Sequence, residues 1–208
     1  MDSEAKHVEW ARKVKAIAQI GLEYAADPYD RERYTELRAL VAEMMAEASD
    51  VPFNQWLDLF EGETGYATPR VDVRGAVFRD GQVLLCRELD DGLWSLPGGW
   101  ADVNDPPSAA VERELREETG YEVRCTKLAA VLDRDLHYNE DKRPIHTYKL
   151  MFLCEIIGEA GGLDHDIAEA RFFPVGDLPP LSRARTLPEQ VELMAKHHKN
   201  PELPTEFD

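Results

Sequence analysis

The chain has 208 residues, with 24 Lys and Arg against 41 Asp and Glu and a formal net charge of −17. That length supports one large domain, or a core domain with an appendage, around a sizeable apolar core. That charge argues against duplex nucleic acid or an anionic membrane as a passive electrostatic partner, but leaves room for a small phosphorylated ligand if a cation mediates.

The three cysteines, Cys86, Cys125 and Cys154, are odd in number, far apart and without a CxxC pair. They read as small core residues of a reduced protein rather than as a disulfide frame or a zinc site. No apolar run approaches the roughly 20 residues of a membrane span. The start, MDSEAKHVEW, lacks a signal-peptide core, so the expected location is cytoplasmic.

Residues 1–48 carry a helical period. Trp10, Val14, Ile17, Ala18, Gly21 and Tyr24 recur at three- and four-residue steps, and Asp27-Pro28 predicts an N-cap and first position for a second helix. That helix places Tyr34, Leu37, Val41 and Met44 on one face, which predicts an antiparallel hairpin. So small a hairpin cannot bury its faces alone and is expected to dock on the rest of the chain or on another subunit. Residues 51–70 read as a short helix and a connecting loop. The expected division is a helical module over 1–65 and a second domain over 66–208.

From Val71 the period becomes that of strands. VDVRGAVF and QVLLCREL flank Asp80-Gly81, a tight-turn dipeptide, so an antiparallel hairpin is predicted. EVRCTKLAAVLDRD and HTYKLMFLCEIIG are two more strands around the polar loop LHYNEDKRP. EARFFPVGDLPPL is a last strand, residues 188–199 a terminal helix, and PELPTEFD a loose tail. Strands on both sides of a central helix, with another helix at the end, predict an α/β sandwich.

Between the second and third long strands lies SLPGGWADVNDPPSAAVERELREETGY. Asp105 before Pro106 predicts a helix N-cap, and Gly120 the stop. Glu114, Glu117 and Glu118 stand at i, i+3 and i+4, so they share a face, while Val111 and Leu115 lie on a neighbouring face suited to packing on a sheet. Arg113, four residues before Glu117, is placed to brace it. Like charges so spaced cost a few tenths of a kcal/mol each in an isolated helix, a cost that divalent cations reverse. Gly98-Gly99 lets the backbone turn sharply and offer carbonyl oxygens beside that face. Hard oxygen donors of this kind suit Mg²⁺ or Mn²⁺ shared with substrate phosphates rather than zinc.

This stretch resembles the Nudix box, G-x5-E-x7-R-E-U-x-E-E-x-G-U with U a bulky aliphatic residue. Asp105 replaces the first glutamate and Tyr121 the last aliphatic. The resemblance implies a Nudix α/β/α sandwich with a mixed sheet, preceded by the helical hairpin. It also implies hydrolysis of a nucleoside diphosphate linked to another moiety. Glu114, Glu117 and Glu118 would then bind Mg²⁺ or Mn²⁺ with the Gly98 carbonyl, and Arg113 would orient a carboxylate. Asp105, Glu112 and Tyr121 are assigned to capping, solvation and packing.

The general base stays open between Glu114 and a loop acid among Glu140, Asp141, Asp164, Asp166 and Glu169, with Glu169 and Glu140 the most useful of these. Arg87, Arg134, Lys142, Arg143 and Lys149 are cations that could meet phosphate. Arg87, with Gly98 and Gly99, is the first choice for substrate binding.

The N-terminal WARKVKAIAQIGLEYAADPYDRERYTELRALVAEM, PGGWADVN, YKLMFLCEIIG and the closing PTEFD are similar to a bacterial Nudix subgroup acting on X-linked nucleoside diphosphates. That likeness implies a small nucleotide substrate, CDP-choline cleaved to CMP and phosphocholine, and a homodimer. Trp10, Tyr24, Tyr29, Tyr34, Trp56, Trp94 and Trp100 are aromatic candidates for the quaternary ammonium group. An ADP-ribose or nucleotide-sugar pyrophosphatase is the rival of the same class, and a non-catalytic ligand-sensing regulator the rival of another.

Overall fold

Asp27 sits in extended backbone and accepts the Tyr29 N–H at 2.6 Å, with Pro28 next. It therefore starts a helix as expected. The computed structural model of the protein describes residues 3–137 and 145–208. The described residues fall into two compact units, residues 3–70 with 145–146, and residues 71–137 with 147–208.

The first unit holds α1 (Ser3–Tyr24), α2 (Pro28–Glu47) and α3 (Phe53–Glu61). Gly21 lets the ring of Tyr34 press onto α1, where a Cβ would stand 2.5 Å from it. The expected hairpin is completed by the third helix. Trp56 and Phe60 of α3 join Val8, Ala11, Val41, Ala42 and Met45 in a core of the unit's own. The first unit runs through Arg70, where the first strand begins.

The second unit is built on β1 (Arg70–Arg79), β2 (Gln82–Glu88), β3 (Trp94–Ser95), β4 (Tyr121–Asp133), β5 (Thr147–Glu159), β6 (Ile167–Pro174) and β7 (Glu206–Phe207). The strands run in the order β3-β2-β1-β5-β4-β7, with β6 paired to β2. Antiparallel β4–β5 and β2–β6 pairs and a parallel β4–β7 pair make the sheet mixed. Three helices accompany the strands, α4 (Pro107–Thr119), the single turn α5 (Arg134–His137) and α6 (Pro188–Lys199).

Asp80 and Gly81 take φ of 52° and 76°, the two left-handed residues of a tight hairpin turn. The β1–β2 pairing nevertheless covers only Phe78↔Val83 and Arg79↔Gln82. Beyond it β2 pairs along its whole length with β6.

Alternation along β2 divides the core. Leu84 packs with Val111 and Leu115 of α4. Val83 and Leu85 pack with Val191 and Met194 of α6. Gly75 of β1 admits α4, because a Cβ there would lie 2.4 Å from the Leu115 side chain.

The tail is not loose. Glu206 and Phe207 pair with Ala130 and Val131, Lys127 Nζ donates to the Pro201 and Leu203 carbonyls at 2.9 and 2.7 Å, and the Asp208 carboxylate accepts the Asp133 N–H at 2.6 Å. These partners lie more than seventy positions away, beyond the reach of local pattern.

Candidate active site

The glycine pair is bound edge-on to β1. Val73 N–H donates to the Gly99 carbonyl at 2.8 Å and Gly75 N–H to the Pro97 carbonyl at 2.9 Å. Gly98 between them has φ 135°, and a Cβ there would stand 2.0 Å from the Val73 carbonyl oxygen. Only glycine fits so close an approach. At Gly99 a Cβ would come within 3.1 Å of Glu114 Oε2, so this backbone lies directly against the α4 carboxylates.

Helix α4 begins one residue later than the sequence suggests. Pro106, in extended backbone (φ −57°, ψ 140°), occupies the N-cap, Pro107 is at the first turn, and no side chain caps the helix. A residue before proline is driven out of helical backbone, and two consecutive prolines move the start forward. Freed from capping, Asp105 accepts a hydrogen bond from Arg113 Nε at 3.3 Å. Gly120 ends the helix as expected, in left-handed backbone at φ 71°.

Arg113 is the hub of the outer part of the site. Its guanidinium meets Asp102 at 3.1 Å, Asp105 at 3.3 Å, Glu114 at 2.9 Å and Glu117 at 3.2 Å. Partial burial works against its charge, but Glu114, Glu117 and Asp105 outweigh that and hold it more firmly protonated than usual. Glu114, whose side chain is 14% exposed, is pushed up by burial and by Glu117, with Arg113 opposing.

The inner part is organised by Glu118. Its carboxylate accepts the Gly98 N–H at 2.8 Å and the Cys86 thiol at 3.3 Å. The residue is only partly buried by area, but its carboxyl end is enclosed. Burial raises it to about 7 despite Arg74 and the Gly98 N–H. Burial, followed by Glu118, also holds the Cys86 thiol well above its ordinary value.

Behind Glu118, Arg74 grips Asp72 through two bonds of 2.8 and 3.2 Å and donates to the Leu96 carbonyl at 3.0 Å. This buried pair ties β1 to the segment that leads into the glycines. Burial opposes the Asp72 charge, yet Arg74 and then Lys149 keep its carboxyl below the ordinary value.

Glu114 and Glu118 thus lie against Gly99 and Gly98, while Glu117 stands beside Arg113 and Arg116. Among the described residues these three glutamates do not bring oxygens within 4.8 Å of one another as a group. Arg113 stands between Glu114 and Glu117, and Glu118 turns to the Gly98 N–H. The donors suit a hard divalent cation: they are carboxylates, and the ionised form of Glu118 lacks enough compensating charge for its burial.

Arg87 and Glu169 are brought together elsewhere. They are register partners at 3.4 Å on β2 and β6, beside Trp94 and Arg171. Cys86 points at Glu118, so its neighbour Arg87 points to the opposite, α6 face. The structure therefore separates Arg87 and Glu169 from the α4 carboxylates. Arg134 and Lys149 are buried and donate to the Ala184 and Arg185 carbonyls, which removes them from a phosphate-facing position. Glu140, Asp141, Lys142 and Arg143 lie outside the described residues.

Asp164 is tied to the end of α4 by its N–H, which donates to the Glu117 carbonyl at 2.8 Å. Of the aromatic candidates, Trp56 and Trp94 are core residues, while Trp100, next to Gly99, is 46% exposed. Glu112, assigned above to solvation, instead accepts the Cys125 N–H at 2.7 Å and pins α4 to the edge of β4. No helix among the described residues is long and apolar enough to cross a membrane.

Comparison with known proteins adds kinship to this geometry. Residues 68–196 match the family model of the NUDIX domain, and residues 5–60 match that of the UDP-X-like N-terminal oligomerisation domain. A Bacillus subtilis protein provisionally named an ADP-ribose pyrophosphatase is 43% identical over 99% of this chain and 98% of its own length. Among solved structures, a UDP-X diphosphatase covers 99% of both chains at 31% identity and a TM-score of 0.63. An ADP-ribose pyrophosphatase from Streptococcus suis is 35% identical, with a TM-score of 0.61, over 68% of this chain and 100% of that one.

Proposed function

The chain belongs to the Nudix family of pyrophosphohydrolases, and from that premise we propose that the α4 face hydrolyses a nucleoside diphosphate linked to a second moiety, with Mg²⁺ or Mn²⁺ held by Glu114, Glu117, Glu118 and the Gly98 carbonyl. The observation that carries this reading is the packing of the Gly98-Gly99 backbone against the carboxylates of Glu114 and Glu118, which sets the glycine turn beside the hard oxygen donors of the helix. A bound divalent cation supplies charge neutralisation at the bridging phosphates and acidifies the attacking water.

The chain's own residues do the rest. Arg113 fixes the directions of Glu114 and Glu117. The Gly98 N–H fixes Glu118. Glu114 is the assigned general base in place of Glu169, which faces away; it takes a proton from water as the water oxygen attacks phosphorus. The anhydride P–O bond then breaks, giving a nucleoside monophosphate and a second phosphate monoester.

Of the candidate substrates, ADP-ribose takes first place, because a relative bearing that activity in its name matches nearly end to end. A UDP-linked substrate follows from the likeness to the UDP-X diphosphatase, and CDP-choline remains the expectation drawn from the sequence subgroup. A non-catalytic sensor would have no use for the intact set of glutamates.

We assign residues 1–65 an assembly role, as part of a homodimer. The match to an oligomerisation domain supports this, as do the exposed Trp10, Ile17, Tyr24, Tyr29 and Leu40. Sedimentation of the full chain at the mass of a monomer would contradict it.

The activity test is a panel of ADP-ribose, UDP-glucose and CDP-choline with each metal, with the phosphorylated products identified. ADP-ribose is expected to give AMP and ribose 5-phosphate with the highest kcat/KM. No hydrolysis of any member would overturn the enzymatic reading.

A further inference from the structure

Cys125 on β4 and Cys154 on β5 are register partners in an antiparallel pair. Both are free thiols, and both pack into the core cluster that also holds Val111 and Leu115 of α4, so they lie on one face of the sheet. The kind of pairing follows from where the Cys125 N–H goes. It donates to Glu112 at 2.7 Å, not to the facing strand, and β7 pairs with β4 only at Ala130 and Val131. An antiparallel partner whose N–H points outward belongs to a non-hydrogen-bonded pair, in which the Cα atoms stand about 4.5 Å apart and the side chains are closest. That separation lies inside the range that a disulfide spans.

We propose that Cys125 and Cys154 are a redox-modification site, closing to a reversible intrachain disulfide by exchange with a small-molecule disulfide. This site lies outside the pyrophosphate chemistry proposed above. Cys125 is the entry point, because it is partly exposed while Cys154 is buried. The neighbouring Cys154 thiol holds Cys125 below its ordinary value, while Cys125 and burial raise Cys154, so the attacking thiolate forms at Cys125.

Its sulfur attacks one sulfur of R–S–S–R. The S–S bond breaks, R–S⁻ leaves, and a Cys125–S–S–R mixed disulfide remains. The Cys154 thiol gives its proton to the departed R–S⁻, and its sulfur attacks that of Cys125. The second R–S⁻ leaves and takes a proton from solvent, which received the one shed by Cys125. In sum the dithiol loses two electrons and two protons, and R–S–S–R becomes two R–SH. Cys86 stays out of this exchange, since it is buried against Glu118 and Ser95.

The test uses the full native chain, with oxidised glutathione as the probe. Thiols are counted after denaturation, mass is measured, and the linked peptides are mapped. Of the three cysteines, one free thiol, Cys86, is expected to remain. The single polypeptide should be two hydrogen atoms lighter, with Cys125 joined to Cys154, and a small dithiol reductant should restore it. Under the same treatment Cys154→Ser is expected to stop at one glutathione adduct on Cys125. Retention of all three thiols, a persistent adduct on the wild-type chain, or a disulfide between two chains would each overturn the proposal.

Discussion

On the α4 side of β2, Cys86 meets Glu118; on the α6 side its neighbour Arg87 meets Glu169. Both arrangements place a carboxylate beside a cation, since Arg74 lies behind Glu118. Glu118 is enclosed, bonded to a backbone N–H, and shifted far from its ordinary value. Glu169 and Arg87 are more than a third exposed at 3.4 Å, where water screens the pair and its strength is about 0–1 kcal/mol. Residue type is the same on the two faces, and burial together with a glycine loop decides which of them can hold and orient charge.

Four perturbations break or sharpen this contrast. The largest effect is expected from Glu117→Gln, which removes one charge from the α4 face without emptying its volume. Turnover is expected to fall roughly 100- to 1,000-fold, the range seen when one element of transition-state charge stabilisation is lost, while circular dichroism and Tm stay as in wild type.

Next comes pH. A carboxyl raised from 4.5 to about 7 in the folded chain contributes stability that is fully present below pH 4.5 and lost as pH rises through about 7. For Glu118 the loss is about 2–3 kcal/mol, after allowance for partial exposure. Denaturant titrations across that window are expected to show this fall in Glu118 wild-type protein and a flatter profile in Glu118→Gln. Mg²⁺ is expected to oppose the fall at the upper end.

Gly98→Ala drives a Cβ onto the Val73 carbonyl and is expected to cost about 2–3 kcal/mol of stability, read as a lower denaturation midpoint, together with a higher metal requirement. The smallest effect belongs to Arg87→Ala. Removing that exposed partner of Glu169 is expected to leave kcat/KM within about threefold of wild type. A larger loss measured with the substrate panel would move substrate recognition to the α6 face.

The α4 half of this contrast was legible in the sequence, whereas Arg87 and Glu169 were expected at the same site and lie on the other face. The period of residues 107–119 gave the helix, its apolar face and the three glutamates, and the long strands β1, β2, β4, β5 and β6 overlap the stretches that alternation marked, while the short β3, the turn of helix at Arg134–His137 and the end of β6 at Pro174 were not foreseen. What escaped depended on partners distant in the chain or on backbone detail. The proline pair displaced the cap that Asp105 would have formed. Arg113 showed its i,i+4 partner Glu117, but its bonds to Asp102 and Asp105 require the loop to fold back.

The opposite facing of Cys86 and Arg87 was present as alternation, but only α4 packing on Leu84 tells which face carries the glutamates. Asp72 and Arg74, two apart on one strand face within an apolar run, were the missed signal of a buried ion pair. The meeting of Cys125 with Cys154 depends on strand register alone, which no local pattern contains.

Mn²⁺ titration followed by electron paramagnetic resonance tests most directly whether the α4 face holds the metal. Wild-type chain, Glu117→Gln and Glu169→Gln are compared at one pH. The account predicts tight binding to wild type, at least roughly tenfold weaker binding to Glu117→Gln, and binding to Glu169→Gln that matches wild type. Equal affinity in wild type and Glu117→Gln, or a loss confined to Glu169→Gln, would contradict it.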